Sequence, residues 1–342
     1  MNAIVLYEHG GPEKLVYKTD FPQPSVGTDE VLINVKATGV NRVDLLVRGG
    51  YPGITISMPH IPGGDIAGTI AQIGSNVKGF LVGERVVTWP LIACGTCALC
   101  EQGRENLCLH WKYFGLHRHG GYAEYVAVPA TSLIKLPAAV SSEEATTLGV
   151  AGLTAYHAIK SVGELKAGET FMIWGGSGGV GTIAVQLAKM IGATVIATVG
   201  KNEKRDMVKN LGADHIFNHY EDDVQSEVMK LFPVGVDMII DYVGPATFPK
   251  SFAMLKKGGR MLLCGILTGR ETNFSIHQTY LRHLSVKGLY LGTKKEMEEL
   301  VNLAAQRKIK PLVGKIFPLE EAAKAQEMMT KGEHIGKLVL SV

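Results

Sequence analysis

The sequence predicts an α/β protein in which a doubly wound parallel sheet is joined to a second, β-rich domain. Strand and helix patterns alternate from residue 171 to about residue 290, and the first of these strands leads into a glycine-rich turn. Residues 1 to about 150 instead carry short β-branched stretches broken by glycine and proline. A chain of 342 residues is long enough for both domains.

The composition excludes several classes of protein. Hydrophobic residues make up 46% and charged residues 20%, so substantial cores are expected. The net charge is only +3 and no Lys/Arg-rich run occurs, so neither nucleic acid nor an anionic membrane surface is an expected partner. No apolar run approaches membrane-spanning length and the first residues lack a signal-peptide pattern, so a cytoplasmic location is expected.

The β-rich part begins the chain and ends in a helix. Its strand candidates are residues 3–7, 31–37, 66–73 and 84–88. Ser141, with Glu144 three positions later, forms a capping-box pattern at the start of a helical segment that extends to residue 159.

The glycine-rich turn lies inside a predicted βαβ unit. Residues 171–174 form the first strand, 182–192 have helical apolar spacing, and 194–199 form a β-branched second strand. Gly176, Gly178 and Gly181 occupy the three glycine positions of a G-x-G-x-x-G fingerprint. The order of these elements predicts a dinucleotide site, and the alternative is a purely structural turn.

Each glycine of the fingerprint has its own expected role. Gly176 permits the tight turn, Gly178 lets backbone N–H groups approach a pyrophosphate, and Gly181 lets the helix pack closely on the strand. The free N–H groups at the start of the helix then face an anion.

The alternation continues to the end of the chain. Further helices are expected at residues 204–211, 223–231, 247–255, 295–307 and 319–330. Further strands are expected at residues 215–218, 236–244, 260–265, 284–292, 313–318 and 336–341.

Four of the five cysteines lie in one short segment. Cys94, Cys97, Cys100 and Cys108 have C-x2-C-x2-C-x7-C spacing. Four thiolates on one loop match the closed tetrahedral coordination of structural zinc, although the same spacing could also hold an iron–sulfur cluster. We expect one structural Zn²⁺ per chain.

With these motifs, the whole chain resembles the medium-chain dehydrogenase/reductase superfamily, which contains the zinc-type alcohol dehydrogenases and the related quinone oxidoreductases. The fingerprint and the cysteine segment carry the resemblance together with residues 39–44 (GVNRVD), 61–68 (IPGGDIAG), 82–86 (VGERV), 120–125 (GGYAEY) and 152–156 (GLTAY).

The resemblance implies two domains with a cleft between them as the active site. A GroES-like catalytic domain would comprise residues 1–151 and 291–342, with the zinc lobe at 94–108, and a Rossmann domain would comprise residues 152–290. Ligands of such folds bind at the carboxyl ends of the parallel strands and at domain interfaces.

Three departures from the zinc enzymes concern the catalytic metal. The family's cysteine after Gly-Val is Asn41 here, the histidine before the acidic residue is Gly64, and the third ligand position is Val150. These side chains cannot form a zinc site, so no catalytic zinc is expected. Asn41 with Asp65 instead resembles the metal-free quinone oxidoreductases.

A metal-free site must stabilise the oxygen of a carbonyl that accepts hydride with hydrogen-bond donors. The candidates are the Asn41 amide, the Tyr51 phenol, which resembles a tyrosine placed over the nicotinamide, and Asp65, which would fix the Asn41 amide or Arg42. Their structural alternatives are a turn residue, an aromatic at the rim and a structural partner, respectively. The residues His117, Arg118 and His119 either reach the cleft or form a solvated loop.

The end of the second strand indicates the coenzyme. It carries Gly200 and Lys201 where NAD-preferring proteins have an acidic residue, so NADP(H) is predicted over NAD(H). Family positions that line the coenzyme correspond here to Thr154, Gly176, Ser177, Gly178, Gly179, Val180, Gly181, Gly200, Lys201, His219, Val243, Gly265 and Ile266.

We therefore expect an NADPH-dependent reductase that transfers hydride to a small carbonyl, enone or quinone without a catalytic metal. A secondary-alcohol dehydrogenase or ketone reductase is the alternative enzyme, and a catalytically silent NADP(H)-binding protein is the alternative from another class. Residues 284–292 would be the last strand of the nucleotide sheet, and its open edge predicts a homodimer or homotetramer.

Overall fold

A computed structural model of the chain describes all 342 residues and divides into two compact units. Unit 1 comprises Met1–Leu153 and Thr293–Val342, and unit 2 comprises Thr154–Gly292. The boundaries expected after residues 151 and 290 therefore fall after Leu153 and Gly292.

The strands alternate with helices in the second half of the chain and dominate the first. They are β1 (Ala3–Val5), β2 (Val16–Lys18), β3 (Glu30–Gly39), β4 (Asp65–Ile73), β5 (Arg85–Thr88), β6 (Leu91–Ile92), β7 (Lys112–Tyr113), β8 (Tyr125–Pro129), β9 (Leu133–Lys135), β10 (Thr170–Ile173), β11 (Thr194–Val199), β12 (His215–Asn218), β13 (Val236–Asp241), β14 (Leu255–Leu263), β15 (Ser285–Gly288), β16 (Val313–Pro318) and β17 (Lys337–Ser341).

The α-helices are α1 (Arg42–Gly49), α2 (Ala98–Glu101), α3 (Ser142–Thr147), α4 (Leu153–His157), α5 (Gly179–Ile191), α6 (Arg205–Asn210), α7 (Val224–Leu231), α8 (Phe248–Met254), α9 (Ile276–Leu281), α10 (Lys294–Ala305) and α11 (Ala322–Lys331). None of the helices has the length and apolar character needed to cross a membrane.

Unit 1 is built on one large sheet. Its strands lie in the order β16-β17-β3-β4-β5-β9, and β8 also pairs with β3. All pairs are antiparallel except β16 with β17. The inward faces bury aliphatic side chains such as Val31, Ile33, Ile66 and Val126. This sheet brings the C-terminal strand β17 beside β3, so residues distant in sequence become neighbours.

The helical segment predicted from Ser141 begins as expected. The Ser141 side chain accepts a hydrogen bond from the backbone N–H of Glu144, and the Glu144 carboxylate accepts one from the backbone N–H of Ser141. After α3 the backbone widens into a π turn over Leu148–Gly152 before α4. Such turns free backbone groups from the regular helical pattern.

Unit 2 contains a six-stranded parallel sheet in the order β12-β11-β10-β13-β14-β15. This is the doubly wound order 3-2-1-4-5-6, and it confirms the predicted Rossmann fold class. Apolar residues from several strands and helices form its core, including Met172, Ile196, Ile239, Phe252 and Met261. Because the strands are parallel, all their carboxyl ends lie at one edge.

Three helices were not anticipated from the sequence, and one of them, α2, is a single four-residue turn within the cysteine segment. α1 begins after its N-cap Asn41. Asparagine is common both at helix N-caps and in turns, so this residue did not identify the start of a helix. α9 is short, with six residues and no buried side chain, so it lacks the apolar periodicity that identifies a helix.

Candidate active site

The glycine-rich turn of unit 2 differs from expectation in one detail. The left-handed residue of the turn is Gly175, with φ of +73°, and not Gly176. Gly176 must be glycine for another reason, because a β-carbon there would lie 2.7 Å from the Ala197 side chain. The backbone N–H of Gly176 also donates to the Thr198 carbonyl at 2.7 Å. The turn is thereby held against β11.

The other two fingerprint glycines differ in their surroundings. A β-carbon at Gly181 would lie 2.7 Å from the α-carbon of Gly176, so Gly181 permits close packing of helix and turn. Gly178 is the N-cap of α5, and a β-carbon there would meet no atom closer than 3.7 Å. Space beside the first turn of α5 is what a phosphate group needs. The backbone N–H groups of Gly179 and Val180 lie in that turn and have no intrahelical acceptor.

Thr198 connects the turn to the ends of β11 and β12. Its hydroxyl accepts from the Gly175 N–H at 2.9 Å and lies 3.1 Å from Nδ1 of His219. Burial, with a smaller effect from Lys204, lowers the pKa of His219 and favours the neutral ring. His219 in turn lies beside Gly200, where a β-carbon would be 3.2 Å from Nε2. The predicted residues of these two strand ends are thus neighbours, and Lys201 is exposed next to Gly200.

Asp241, at the end of β13, organises the next loop at this edge. Its Oδ1 accepts from the backbone N–H groups of Val243 and Gly244, both at 3.0 Å, and from the Thr247 hydroxyl at 2.8 Å. Gly265 lies against the same loop, because a β-carbon there would be 2.5 Å from the Tyr242 carbonyl oxygen. Val243, Gly265 and Ile266 therefore follow the carboxyl ends of neighbouring strands.

Two further predicted residues of this set are mostly buried. Thr154, the first residue of unit 2, is 8% exposed and lies in α4, before the sheet begins. Ser177 is 7% exposed, in the turn between β10 and α5. Buried hydroxyls of this kind are held by polar partners.

In unit 1, strand pairing brings Asn41 and Asp65 together. Gly39 at the end of β3 pairs with Asp65 at the start of β4, and Nδ2 of Asn41 donates to Oδ2 of Asp65 at 2.8 Å. Oδ1 of Asp65 accepts from the backbone N–H of Val150 at 2.7 Å, in the π turn. Gly149 is required for this contact, since a β-carbon there would overlap Oδ1 of Asp65. Of the two partners considered for Asp65, the structure contains the Asn41 amide.

Lys337, the first residue of β17, completes this cluster and was missed from the sequence. Its ammonium lies 2.9 Å from Oδ2 of Asp65 and also contacts Oδ1 of Asn41. All three side chains are at least nine-tenths buried. We call Asn41, Asp65 and Lys337 the polar triad. A lysine that opens a C-terminal strand carries no local sign that it reaches a residue near position 65.

Gly64 stands at the position of the family's ligand histidine. The space that a side chain there would need is filled by Tyr113. A β-carbon at Gly64 would overlap the phenol of this fully buried tyrosine. Residues at all three ligand positions thus lie near the polar triad or Tyr113. None of these three positions provides a metal-binding side chain.

Asp44 is a buried acid beside the triad. Its Oδ2 accepts from the backbone N–H of Asn41 at 2.7 Å and from the Tyr122 hydroxyl at 3.2 Å. Burial raises the pKa of Asp44 to about 7, opposed by the Asn41 hydrogen bond and the Lys337 charge. No sequence pattern distinguished this aspartate from a surface one.

The structure does not place Tyr51 beside Asn41. Asn41 is the N-cap of the eight-residue helix α1, and Tyr51 follows the C-cap Gly50. At 1.5 Å per residue the helix separates them by about 12 Å. Tyr51 is partly exposed, and its carbonyl accepts from the Ile54 N–H at 3.2 Å.

The basic residues 117–119 make local contacts. Nδ1 of His117 accepts from the Tyr113 N–H at 3.1 Å, and Nδ1 of His119 accepts from the Ile61 N–H at 3.3 Å. Arg118 forms an ion pair with Glu30 at 2.8 Å. These side chains brace the loop that carries them.

The four lobe cysteines converge on one point. Their sulfur atoms all lie within 4.8 Å of one another, with contacts of 3.4 to 4.0 Å. Zn–S bonds of about 2.3 Å in a tetrahedron imply S–S separations of about 3.8 Å. The lobe therefore fits a single zinc ion, whereas a cluster of several irons would hold its thiolates further apart.

Backbone N–H groups donate hydrogen bonds to the thiolates, and another joins the lobe to helix α10. The N–H groups of Cys94 and His110 each donate to Sγ of Cys108 at 3.3 Å. A backbone hydrogen bond from Thr96 is the main cause that lowers the pKa of Cys94 to about 6. Glu105 in the lobe accepts from the backbone N–H of Lys294, the first residue of α10, at 2.8 Å.

Comparison with known proteins places both parts of the chain. Residues 27–138 match the family model for the alcohol dehydrogenase GroES-like domain, and residues 179–306 match that for zinc-binding dehydrogenases. Human quinone oxidoreductase is 32% identical over 99% of this chain and 97% of its own length.

Two solved structures are similar over the whole chain. The crystal structure of an NAD-dependent alcohol dehydrogenase superposes with a TM-score of 0.95 at 35% identity, covering 100% of both chains. That of Escherichia coli quinone oxidoreductase complexed with NADPH has a TM-score of 0.85 at 28% identity, again covering 100% of both chains. These relatives differ in coenzyme and in named substrate, so the chain's own residues must distinguish between them.

Proposed function

The chain belongs to the zinc-type alcohol dehydrogenase-like group of the medium-chain dehydrogenase/reductase superfamily and is an oxidoreductase, and from this premise we propose that it is an NADPH-dependent reductase. Its substrate is a carbonyl, enone or quinone, and the chain reduces it without a catalytic metal. The single observation that carries the proposal is the polar triad, in which the Lys337 ammonium forms an ion pair with Asp65.

The support for a metal-free site is both steric and electrostatic. Tyr113 takes the space that a ligand side chain at Gly64 would need. The Lys337 ammonium already neutralises Asp65, so a divalent cation at the same place would meet a positive charge. Asn41, Gly64 and Val150 offer no thiolate, imidazole or carboxylate in compensation.

The support for NADPH comes from the edge of the unit 2 sheet. NADPH, when bound, supplies the hydride. The space beside Gly178 and the free N–H groups of α5 suit its pyrophosphate. Lys201 adds a positive charge at the end of β11, where no carboxylate would repel a 2'-phosphate.

The chain's own residues stabilise the substrate and deliver the proton. The Asn41 amide donates to the substrate oxygen as that oxygen gains negative charge. The phenol of Tyr51, beyond the other end of α1, donates a hydrogen bond or the proton that completes the reduction to a substrate atom other than the oxygen that Asn41 contacts. Asp65 orients the Asn41 amide and contacts no substrate.

A structural zinc ion and self-association belong to the same proposal. Cys94, Cys97, Cys100 and Cys108 would hold one Zn²⁺ whose role is to fold the lobe.

Two copies of the chain would associate through the open edge of the sheet at β15. The preceding helix α9 exposes Ile276 by 77% and Tyr280 by 64%. The states to distinguish by light scattering are the monomer, the dimer and the tetramer.

Two other functions remain in view. A dehydrogenase acting on secondary alcohols and ketones would use the same triad and coenzyme site. A silent NADP(H)-binding protein would bind the coenzyme and transfer no hydride.

The test combines metal analysis with a substrate panel. We expect one zinc per chain and NADPH oxidation with a quinone, an enone or a cyclic ketone. Two zincs per chain, with loss of activity on chelation, would refute the metal-free mechanism. Tight NADPH binding without turnover of any panel member would identify the silent protein. Turnover of the cyclic ketone alone, together with NADP⁺-dependent oxidation of its secondary alcohol, would identify the alcohol dehydrogenase.

A further inference from the structure

Lys337 is a buried cation whose partners belong to the candidate active site. It is 3% exposed, and lysines are almost never buried to this extent unless they are paired. Its ammonium contacts only side chains of the polar triad, Oδ2 of Asp65 at 2.9 Å and Oδ1 of Asn41. The ion pair thus lies within the site proposed to bind substrate.

The ammonium determines how the Asn41 amide is oriented. A lysine can only donate, so the amide must turn its oxygen towards Lys337 and its nitrogen towards the Asp65 carboxylate. Without the ammonium, the amide oxygen would lose its donor and only the Asp65 carboxylate would hold the amide. Lys337 and Asp65 together therefore select one of two amide orientations.

In this orientation, one amide hydrogen of Asn41 remains weakly bound. The first donates to Oδ2 of Asp65 at 2.8 Å, and the second faces the Gly39 carbonyl at 3.4 Å. The latter distance is beyond the normal range for an N–H···O bond. The hydrogen stays on Nδ2, and exchanging this long contact for a hydrogen bond to a substrate oxygen costs little.

The surrounding backbone is shaped around the lysine. A β-carbon at Gly39 would lie 2.9 Å from Cε of Lys337. The backbone N–H of Val40 donates to the Leu338 carbonyl at 2.9 Å, which fixes β17 beside the end of β3. The register of the sheet thus holds the ammonium at one place.

We propose that Lys337 is a positioning residue for hydride transfer, because its ammonium compensates the Asp65 charge and directs one N–H of Asn41 towards the substrate oxygen. The inference rests on the proposed function. The Lys337 ammonium would supply the positive charge that a metal ion supplies in dehydrogenases with a catalytic metal. A merely structural ion pair would affect stability alone.

The experiment removes the ammonium and returns it in solution. Lys337→Ala and Lys337→Arg are compared with wild type by the single-turnover rate of NADPH oxidation at saturating coenzyme, by the Kd of NADPH and by Tm. Loss of an oriented hydrogen-bond donor lowers such rates by roughly 10²- to 10³-fold. We expect a loss of this size in Lys337→Ala, with the Kd of NADPH unchanged within about twofold.

Propylammonium replaces the atoms deleted in Lys337→Ala. It should restore the rate at least about tenfold, whereas propanol, which has the same length and no charge, should not. Lys337→Arg should retain more activity than Lys337→Ala. Lys315→Ala is the matched control, because it removes an exposed lysine of the neighbouring strand β16 and should leave rate and Kd unchanged.

A double variant tests whether Lys337 acts through Asn41. If it does, Asn41→Ala/Lys337→Ala should transfer hydride no more slowly than Asn41→Ala alone. Additive losses, or a Lys337→Ala rate that stays within about threefold of wild type, would overturn the proposal. So would a loss in folded protein that neither propylammonium nor arginine reverses. Wild-type protein without any hydride transfer would instead refute the proposed function, and with it the premise.

Discussion

The Asp44 carboxylate closes the first turn of α1 by accepting a hydrogen bond from the backbone N–H of Asn41 at 2.7 Å. This links a fully buried acid to the residue proposed to polarise the substrate. Lys337 and Asp65 also act on Asp44 electrostatically, in opposite directions. The first turn of α1 therefore depends on a charge that water does not screen.

Replacing Asp44 with Asn should change the pH dependence of stability. The pKa of Asp44 rises from 3.8 to about 7 on folding, so the folded chain binds an extra proton between these pH values and wild type loses stability as pH rises through them. Each pKa unit corresponds to about 1.4 kcal/mol. The Tm of Asp44→Asn minus that of wild type should therefore be larger at pH 8 than at pH 5.

Comparing Asp44→Asn with wild type at each pH cancels the effects of other titrating groups on Tm. One such group is buried His60, whose pKa is lowered to about 4 by burial. An equal difference in Tm at both pH values would mean that Asp44 titrates normally.

A side chain added at Gly64 should destabilise unit 1. The β-carbon of Gly64→Ala would overlap Tyr113, and overpacking of this kind typically costs about 1 to 3 kcal/mol. Calorimetry should show a lower Tm, and combination with Tyr113→Leu should cost less than the sum of the two changes. Gly49→Ala is the control, since a β-carbon there meets nothing within 4 Å.

Gly64→His tests the same contact chemically. Its zinc content should remain one per chain, because Tyr113 leaves no room for an imidazole. A second equivalent of zinc in this variant would show that the pocket opens freely.

Removing the positive charge at the end of β11 should affect one coenzyme more than the other. A charge-assisted contact contributes about 1.5 to 3 kcal/mol, so Lys201→Ala should raise the KM for NADPH by roughly tenfold or more and leave that for NADH nearly unchanged. Initial rates with both coenzymes measure this. Lys209→Ala, at an exposed position of α6, serves as the control, and equal effects on both coenzymes would exclude Lys201 from the phosphate site.

Loss of one lobe thiolate should release the structural metal. In Cys108→Ser the zinc content should fall from one per chain towards zero, and Tm should fall because the lobe is joined to α10 through Glu105 and Lys294. Each kcal/mol lost lowers Tm by roughly 2 to 4 °C in a domain of this size. Cys264→Ser, outside the lobe, should retain its zinc, and retention in Cys108→Ser would show that the lobe is not the zinc site.

Local patterns in the sequence were sufficient for the elements that are defined over a few neighbouring residues. The βαβ unit around Gly176–Gly181, the capping box at Ser141 and the spacing of the four cysteines all depend on short-range geometry. The tight turn was expected at Gly176, whereas the residue with a left-handed backbone is Gly175, because five of the seven residues from 175 to 181 are glycine and composition does not say which of them has a positive φ.

The fold class, the dinucleotide fingerprint, the cysteine cluster that fits one zinc ion and the lack of ligand side chains at Asn41, Gly64 and Val150 all follow from the sequence. The side chains that fill the space around Asp65 and Gly64 are known only from the folded chain. Lys337 reaches Asp65 because β17 pairs with β3 and β3 pairs with β4, and Tyr113 packs on Gly64 from another part of the chain. Burial removes water from these groups, so their charge and hydrogen bonding depend on neighbours that the fold supplies and that are distant in the sequence.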